Sequence, residues 1–387
     1  MSAVTRYGIV PLLLLAVGVR LGMAIERSRA RPAQAAERPP AAAEPQGPAP
    51  AAAPTTPAPT APVFEMTCSF QNNIYPSLML SLGVTYPEYT RCLMVVLHNL
   101  PPAGALQLRI ESGLFVEPLQ IAVNAGSPTV TLNPELPWNF DALRRNAQIT
   151  PQSFVSTLLV DGKPAAEATL ACMVHSVNEA VSRIYLGGPA GQWLDTGVCF
   201  AAFVNEDHPW INTLLQEALS SGSIRAFTGY QGGSQATLLQ VQAIWDTLAS
   251  RGLSYVNVAT DSGTSAQVST QYVRFLDQSV HDQGANCVDA SVLFASILRR
   301  IGLRPVLLFK PGHCFTGYYD AQEGGHLVAF ETTYLGTTSF LAAAAEGTKE
   351  LQATLPYIGS PQYSIVDIAL CRQQGITPIA YQPPERN

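Results

Sequence analysis

Cys287 follows the polar loop Gln283-Gly284-Ala285-Asn286 and opens an apolar segment. His313 lies in Lys310-Pro311-Gly312-His313-Cys314-Phe315, and Glu331 directly follows Leu327-Val328-Ala329-Phe330. A cysteine attacks a carbonyl as the thiolate, so it needs a base to take its proton and a positive environment to hold the charge. The loop-to-helix reading of 283–300 supplies the environment: the first N–H groups of a helix are unpaired and its dipole is positive there. His313 is the candidate base and Glu331 the candidate partner that orients it. Gln283 and the backbone N–H of Cys287 are candidate donors to an oxyanion. Asp289 is the discordant residue. It suits the helix dipole, yet its charge would oppose a nearby thiolate.

Each of these residues also has a plainer role. A cysteine at a helix start is more often buried and inert, and a histidine or glutamate on a strand is more often a satisfied core residue. Cys314, next to His313, should face the other side of its strand. His281 and His326 lie off the pattern and read as exposed. A zinc site from Cys287, His313 and His281 lacks a recognised ligand spacing, so no metal or cofactor is expected.

Positioning the three residues takes a helix and a small sheet. Residues 288–300 are apolar at helical spacing and are ended by Gly302. Strands at 305–309, 315–319 and 327–331, with turns at Pro311-Gly312 and 320–325, read as an antiparallel meander. His313 and Glu331 then become cross-strand neighbours, about 5 Å apart if the register allows. Upstream, Ile211, Leu214, Leu215, Ala218 and Leu219 give one helix. Ser234 caps a second, running through Leu238, Val241, Ile244, Trp245 and Leu248. Residues 271–276 read as a short third helix. The glycine-rich stretch 227–234 has no lysine after it and no hydrophobic strand before it, which excludes a phosphate loop.

Residues 63–182 read differently. Period-two alternation at 106–110, β-prone runs at 91–97, 154–160 and 168–174, and the hairpin signal Asp161-Gly162 suggest a β-sandwich without a cluster of titratable residues. The whole is α+β: an N-terminal β-sandwich, then helices packed on an antiparallel sheet at 183–387.

Residues 286–305, the Pro311-Gly312-His313-Cys314-Phe315 element and Glu331-Thr332-Thr333 together resemble the core of bacterial transglutaminase-like proteins. The likeness covers about 270–335 and excludes the β domain. It implies a transglutaminase/papain-like domain with a triad of Cys287, His313 and, in place of the usual Asp, Glu331. That glutamate is one methylene longer, so its distance to His313 must be set differently. The resemblance implies a cysteine hydrolase or acyltransferase acting on amide bonds of a protein or peptide. Because the superfamily also contains inactive members, a non-catalytic scaffold or binding protein of the envelope is the alternative.

The rest of the chain places this domain. It has 387 residues, 47% hydrophobic and 13% charged, with net charge −6 and no basic cluster in the folded part, which excludes a nucleic-acid binder. Arg6 precedes an apolar run at 8–19 that resumes after Arg20, so residues 1–29 read as a signal peptide or, without a clear cleavage site, a membrane anchor. Residues 30–62 are an Ala/Pro-rich spacer that cannot bury a core. The expected location is the cell membrane with the folded part on the extracytoplasmic side, or secreted if the first segment is cleaved. Of the seven cysteines, Cys68–Cys92 and Cys172–Cys199 are candidate local disulfides, with reduced buried thiols the other reading.

Overall fold

The computed structural model describes residues 61–124, 126–187, 191–256, 265–323, 325–360 and 362–380. The anchor expected at 1–29 and nearly all of the spacer at 30–62 lie outside them. Among the described residues no helix is long and apolar enough to cross a membrane.

The first region holds β1 (Val63–Cys68), β2 (Leu93–His98), β3 (Leu106–Ser112), β4 (Leu119–Val123), β5 (Val130–Leu132), β6 (Thr150–Val160) and β7 (Lys163–Val174). One sheet runs β1-β2-β5. A second runs from the two-residue strand Asn73–Ile74 through β7-β6-β3-β4. Every pairing is antiparallel except that of Asn73–Ile74 with β7. Alternation decides what is buried: Leu106, Leu108 and Ile110 of β3 face inward while Gln107 and Arg109 do not. They meet Leu93, Val95 and Leu97 of the other sheet, with Phe154 and Leu158, in one core. Burying each such side chain contributes roughly 1.5–3 kcal/mol. The β6–β7 hairpin turns at Asp161 (φ 51°) and Gly162 (φ 76°), the paired positive φ of a tight hairpin turn.

The second region begins within β8 (Glu179–Gly187), which pairs with β9 (Gln192–Asp195) and β10 (Val268–Tyr272) in the order β9-β8-β10. The boundary expected at 182/183 therefore falls inside a strand. The regions also share a core: Leu78 and Leu82, on helix α1 (Pro76–Leu82), pack with Val181, Phe203, Val292 and Cys314.

Helices α2 (Pro209–Ser220) and α3 (Gly233–Ser250) occupy the expected positions, although α3 is capped by Gly232, not Ser234. The short helix expected at 271–276 is a correction. Residues 268–272 are strand β10, and α4 (Leu276–Asp282) starts only afterwards. Val268, Ser269 and Thr270 are buried where β10 pairs with β8, and that pairing overrides local helical spacing.

The site elements are α5 (Cys287–Arg300), β11 (Pro305–Lys310), β12 (His313–Tyr319), β13 (Leu327–Phe330), α6 (Phe340–Thr354) and β14 (Ser364–Asp367). The sheet runs β13-β12-β11-β14, antiparallel throughout. Helix α5 is buried on opposite faces. Val288, Val292 and Ala295 pack with Leu307 and Cys314, while Leu293, Phe294 and Ile297 pack with Trp245 and Phe330. A helix buried on all sides belongs in a core, and α5 is buried from Val288 to Leu298. Helix α6 crosses β13 at Gly347, where a Cβ would overlap the Phe330 backbone, and the Glu331 N–H donates to the Ala343 carbonyl at 3.0 Å.

The cysteines sort into two groups. Cys68, Cys92 and Cys172 share the first core, while Cys199 and Cys371 share the second. The expected Cys172–Cys199 pairing is therefore corrected: the two side chains belong to different cores. All seven are free thiols here.

Candidate active site

Cys287 is the first residue of α5 and the partly exposed member of the seven cysteines, the others being buried. Asn286 caps the helix: its side-chain oxygen accepts from the N–H groups of Val288 and Asp289, each at 2.9 Å. Asp289 reaches back to the Asn286 N–H at 3.2 Å, completing a capping box. These bonds leave the Cys287 N–H without an acceptor among the described residues, as befits the first turn of a helix. The Cys287 carbonyl is tied down by Ser291 Oγ at 2.7 Å and Thr332 Oγ1 at 3.4 Å. Thr332, fully buried right after Glu331, thus joins the cysteine turn to the carboxylate turn.

Asp289 loses its discordance. It is buried and its charge is met by Arg274, whose backbone N–H donates at 2.7 Å and whose Nη1 donates at 2.9 Å. Burial raises its pKa against these bonds. It is a brace between α5 and the segment before α4, with its charge directed at Arg274.

His313 Nε2 lies 2.7 Å from Glu331 Oε2. The Cys287 side chain lies close enough to act on the same ring electrostatically, and since Nε2 is taken by the carboxylate, Nδ1 is left to face the thiol. Burial presses the imidazole pKa down, but the Cys287 and Glu331 contacts outweigh it and push it up to about 10. Burial likewise opposes ionisation of Glu331, yet His313 and the Thr333 N–H, at 2.9 Å, hold its carboxyl below the usual range.

The register explains the longer side chain. Thr316 pairs with Phe330, which places Glu331 opposite Phe315 and diagonal to His313 on the same face. A diagonal separation is about 2 Å longer than a direct cross-strand one, and the extra methylene helps to span it.

A second carboxylate lies behind the ring. Glu350, on α6, has Oε2 at 3.6 Å from His313 Nε2 and Oε1 at 3.0 Å from Lys310 Nζ. Among the described residues, His313, Glu331 and Glu350 are the one set of three metal-ligand types whose donor atoms lie within 4.8 Å of one another. His281 is exposed at the end of α4 and His326 is exposed in the β12–β13 turn, so neither joins the group. Cys314 is fully buried, and burial raises its thiol pKa well above the ordinary value, so it is inert.

Gln283 is placed elsewhere. It has φ 50° at the end of α4, and its side-chain amide donates to the Arg251 carbonyl at 2.9 Å, lining a pocket with Trp210, Leu248 and Val280. That bond commits the amide away from the cysteine turn. Tyr255 is a residue the sequence did not flag. Its short strand pairs with Gly284–Ala285, just before Cys287. Burial raises its hydroxyl pKa, helped by the nearby charges of Cys287 and Glu331. A single tyrosine beyond a helix end gives no sequence signal, because a parallel pairing brings it there.

No family model matches the chain, and no curated protein matches it in sequence. Two solved structures share part of its path. One is described as a "putative cysteine protease" from Cytophaga hutchinsonii, at 13% identity over 62% of this chain and 80% of that one, with a TM-score of 0.22. The other is a red sea bream transglutaminase, at 10% identity over 63% of this chain, with a TM-score of 0.21. The match spans 48% of that transglutaminase. Both superpose loosely, and the chemistry open to this site rests on its own geometry.

Proposed function

We propose that this is a transglutaminase-like cysteine enzyme of the cell envelope that cleaves or transfers amide acyl groups through Cys287, His313 and Glu331. The observation that carries this reading is one imidazole bonded to a buried carboxylate and lying beside a partly exposed thiol at a helix N-terminus. The thiol proton passes to His313 Nδ1 and the thiolate attacks the amide carbon. A C–S bond forms and the carbonyl electron pair moves to oxygen. The Cys287 N–H and the helix dipole face that oxyanion, with the Tyr255 hydroxyl as the side-chain donor in place of Gln283. Collapse breaks the C–N bond as His313 returns its proton to the leaving nitrogen, giving a thioester and a free amine. Water or a second amine then attacks the thioester, which is hydrolysis or transamidation. Hydrolysis needs no second binding site and is the default. Glu331 keeps the ring in one orientation and stabilises the imidazolium. Residues 1–29 would anchor the enzyme, 30–62 would space it from the membrane, and the N-terminal β region, read as a sandwich, would serve as a binding module.

The test is iodoacetamide alkylation of the full chain near pH 6.5, with Cys287→Ala as control. Cys287 should react well over tenfold faster than an ordinary thiol, which is only about 1% ionised at that pH. A rate no greater than the ordinary one would leave the scaffold reading in its place.

A further inference from the structure

We propose that Glu350 is a second carboxylate acting on His313, through its charge, and that the ion pair Lys310–Glu350 sets how basic the imidazole is. The inference rests on the reading of His313 as the base of a reactive cysteine.

The charges that face the ring come from every element packed around it. Cys287 is on α5, Glu331 follows β13, Glu350 is on α6, Lys310 is the register partner of His313 on β11, and Tyr255 lies before the cysteine loop. Glu331 meets Nε2 directly at 2.7 Å. Glu350 stands behind it at 3.6 Å, with Oε2 buried and without a hydrogen-bond partner. A buried unpaired carboxylate oxygen is costly, and it is tolerated where a neighbouring cation offsets it. Two cations are present: Lys310, bonded to the other oxygen, and the imidazolium.

Without the thiol, this group is neutral as two carboxylates and two cations, and neutral imidazole would leave an excess negative charge in a half-buried site. Glu350 therefore favours the protonated ring. Burial, with the Glu331 charge, raises the Glu350 pKa, and the Lys310 bond opposes that rise, so Lys310 favours the ionised form. The gap of 3.6 Å also matters. It is too long to compete with Glu331 for the Nε2 proton, so Glu350 acts through the field and leaves the ring orientation to Glu331.

The experiment is a histidine-selective NMR titration of the full chain, with the His313 resonance assigned by its loss in His313→Asn. Glu350→Gln should lower the His313 titration midpoint by about one pH unit, and Glu331→Gln by more. Lys310→Met should shift it the same way by less, because Glu350 without its lysine takes up a proton and its field at the ring is lost, whereas a rise would overturn the role given to Lys310. Glu350→Asp, which keeps the charge, should restore part of the shift. A midpoint unchanged in both Glu350→Gln and Lys310→Met overturns the proposal. If Glu350→Gln fails to fold, Lys310→Met reads the same coupling from the other end. The two levels fail separately. A Cys287 that alkylates as an ordinary thiol overturns the catalytic reading, whereas a reactive Cys287 with an unmoved His313 midpoint overturns this one.

Discussion

Two histidines in this molecule meet a buried glutamate through one ring nitrogen, and only one of them is placed for chemistry. His175 Nδ1 lies 2.8 Å from Glu179, and His313 Nε2 lies 2.7 Å from Glu331. The pairs differ at the other nitrogen. His175 Nε2 faces Asn73 Oδ1 at 2.9 Å, an orientation fixed because the Asn73 amide donates to the Phe70 and Gln71 carbonyls. Tyr75 stacks on the ring at 4.2 Å. Both nitrogens of His175 thus face acceptors, and the pair is a clasp that ties strand Asn73–Ile74 to the start of β8. His313 instead has the Cys287 thiol beside its ring, a group that can give up a proton and take it back. A histidine–carboxylate pair is therefore a structural unit, and the third partner decides whether it does chemistry.

Substitutions sharpen that contrast, beginning with the cysteine. Cys287→Ala should abolish rapid alkylation altogether, measured by intact mass. His313→Asn should lower the rate near pH 6.5 by about 10- to 100-fold, because the thiol loses its base and its cation. The matching change His175→Asn should leave the rate within about twofold.

Arg274→Met strands the buried Asp289 and should destabilise the fold by about 3–5 kcal/mol in urea denaturation, the magnitude expected when one partner of a buried ion pair is removed. Glu179→Gln should cost about 1–3 kcal/mol with alkylation unchanged, since it weakens a clasp that is not part of the Cys287–His313–Glu331 group.

A pH dependence carries the same contrast into stability. His313 is raised from 6.5 to about 10 in the folded chain. Its contribution to stability is thus complete below 6.5 and is lost as pH rises through 10. Between those limits the urea midpoint should fall more in the parent than in His313→Asn. Equal slopes would show that the imidazolium is not held by the fold. Glu331 acts in the opposite direction: its lowered pKa gives stability above 4.5 that is lost as pH falls through the lowered value.

Much of the site could be read from residue order, because its parts lie on consecutive elements. Helix α5 with Gly302 after it, the turn at Pro311-Gly312 and the strands around it follow from local periodicity and turn chemistry. So does the α+β character of the whole. Contacts between distant segments were not legible. Arg274 neutralises Asp289 across α4, Tyr255 arrives through a parallel pairing, and Glu350 comes from a helix beyond the meander. Gln283 misleads for the same reason. Its place in the loop suggests a donor, but the left-handed turn at the end of α4 sends its amide to Arg251. Strand β10 escapes a local reading because pairing with β8, not helical spacing, fixes its conformation.

The crossing of α6 over β13 at Gly347 sets a length scale for the site. Both carboxylates that face His313 are carried by these two elements, Glu331 at the end of the strand and Glu350 one turn along the helix from the glycine. The spacing of the charges is thus gauged by backbone touching backbone. Any side chain at 347 would act as a shim, lifting the helix and moving Glu350 away from the ring with no ionisable residue added or removed. An uncharged position can in this way tune the acidity of the site.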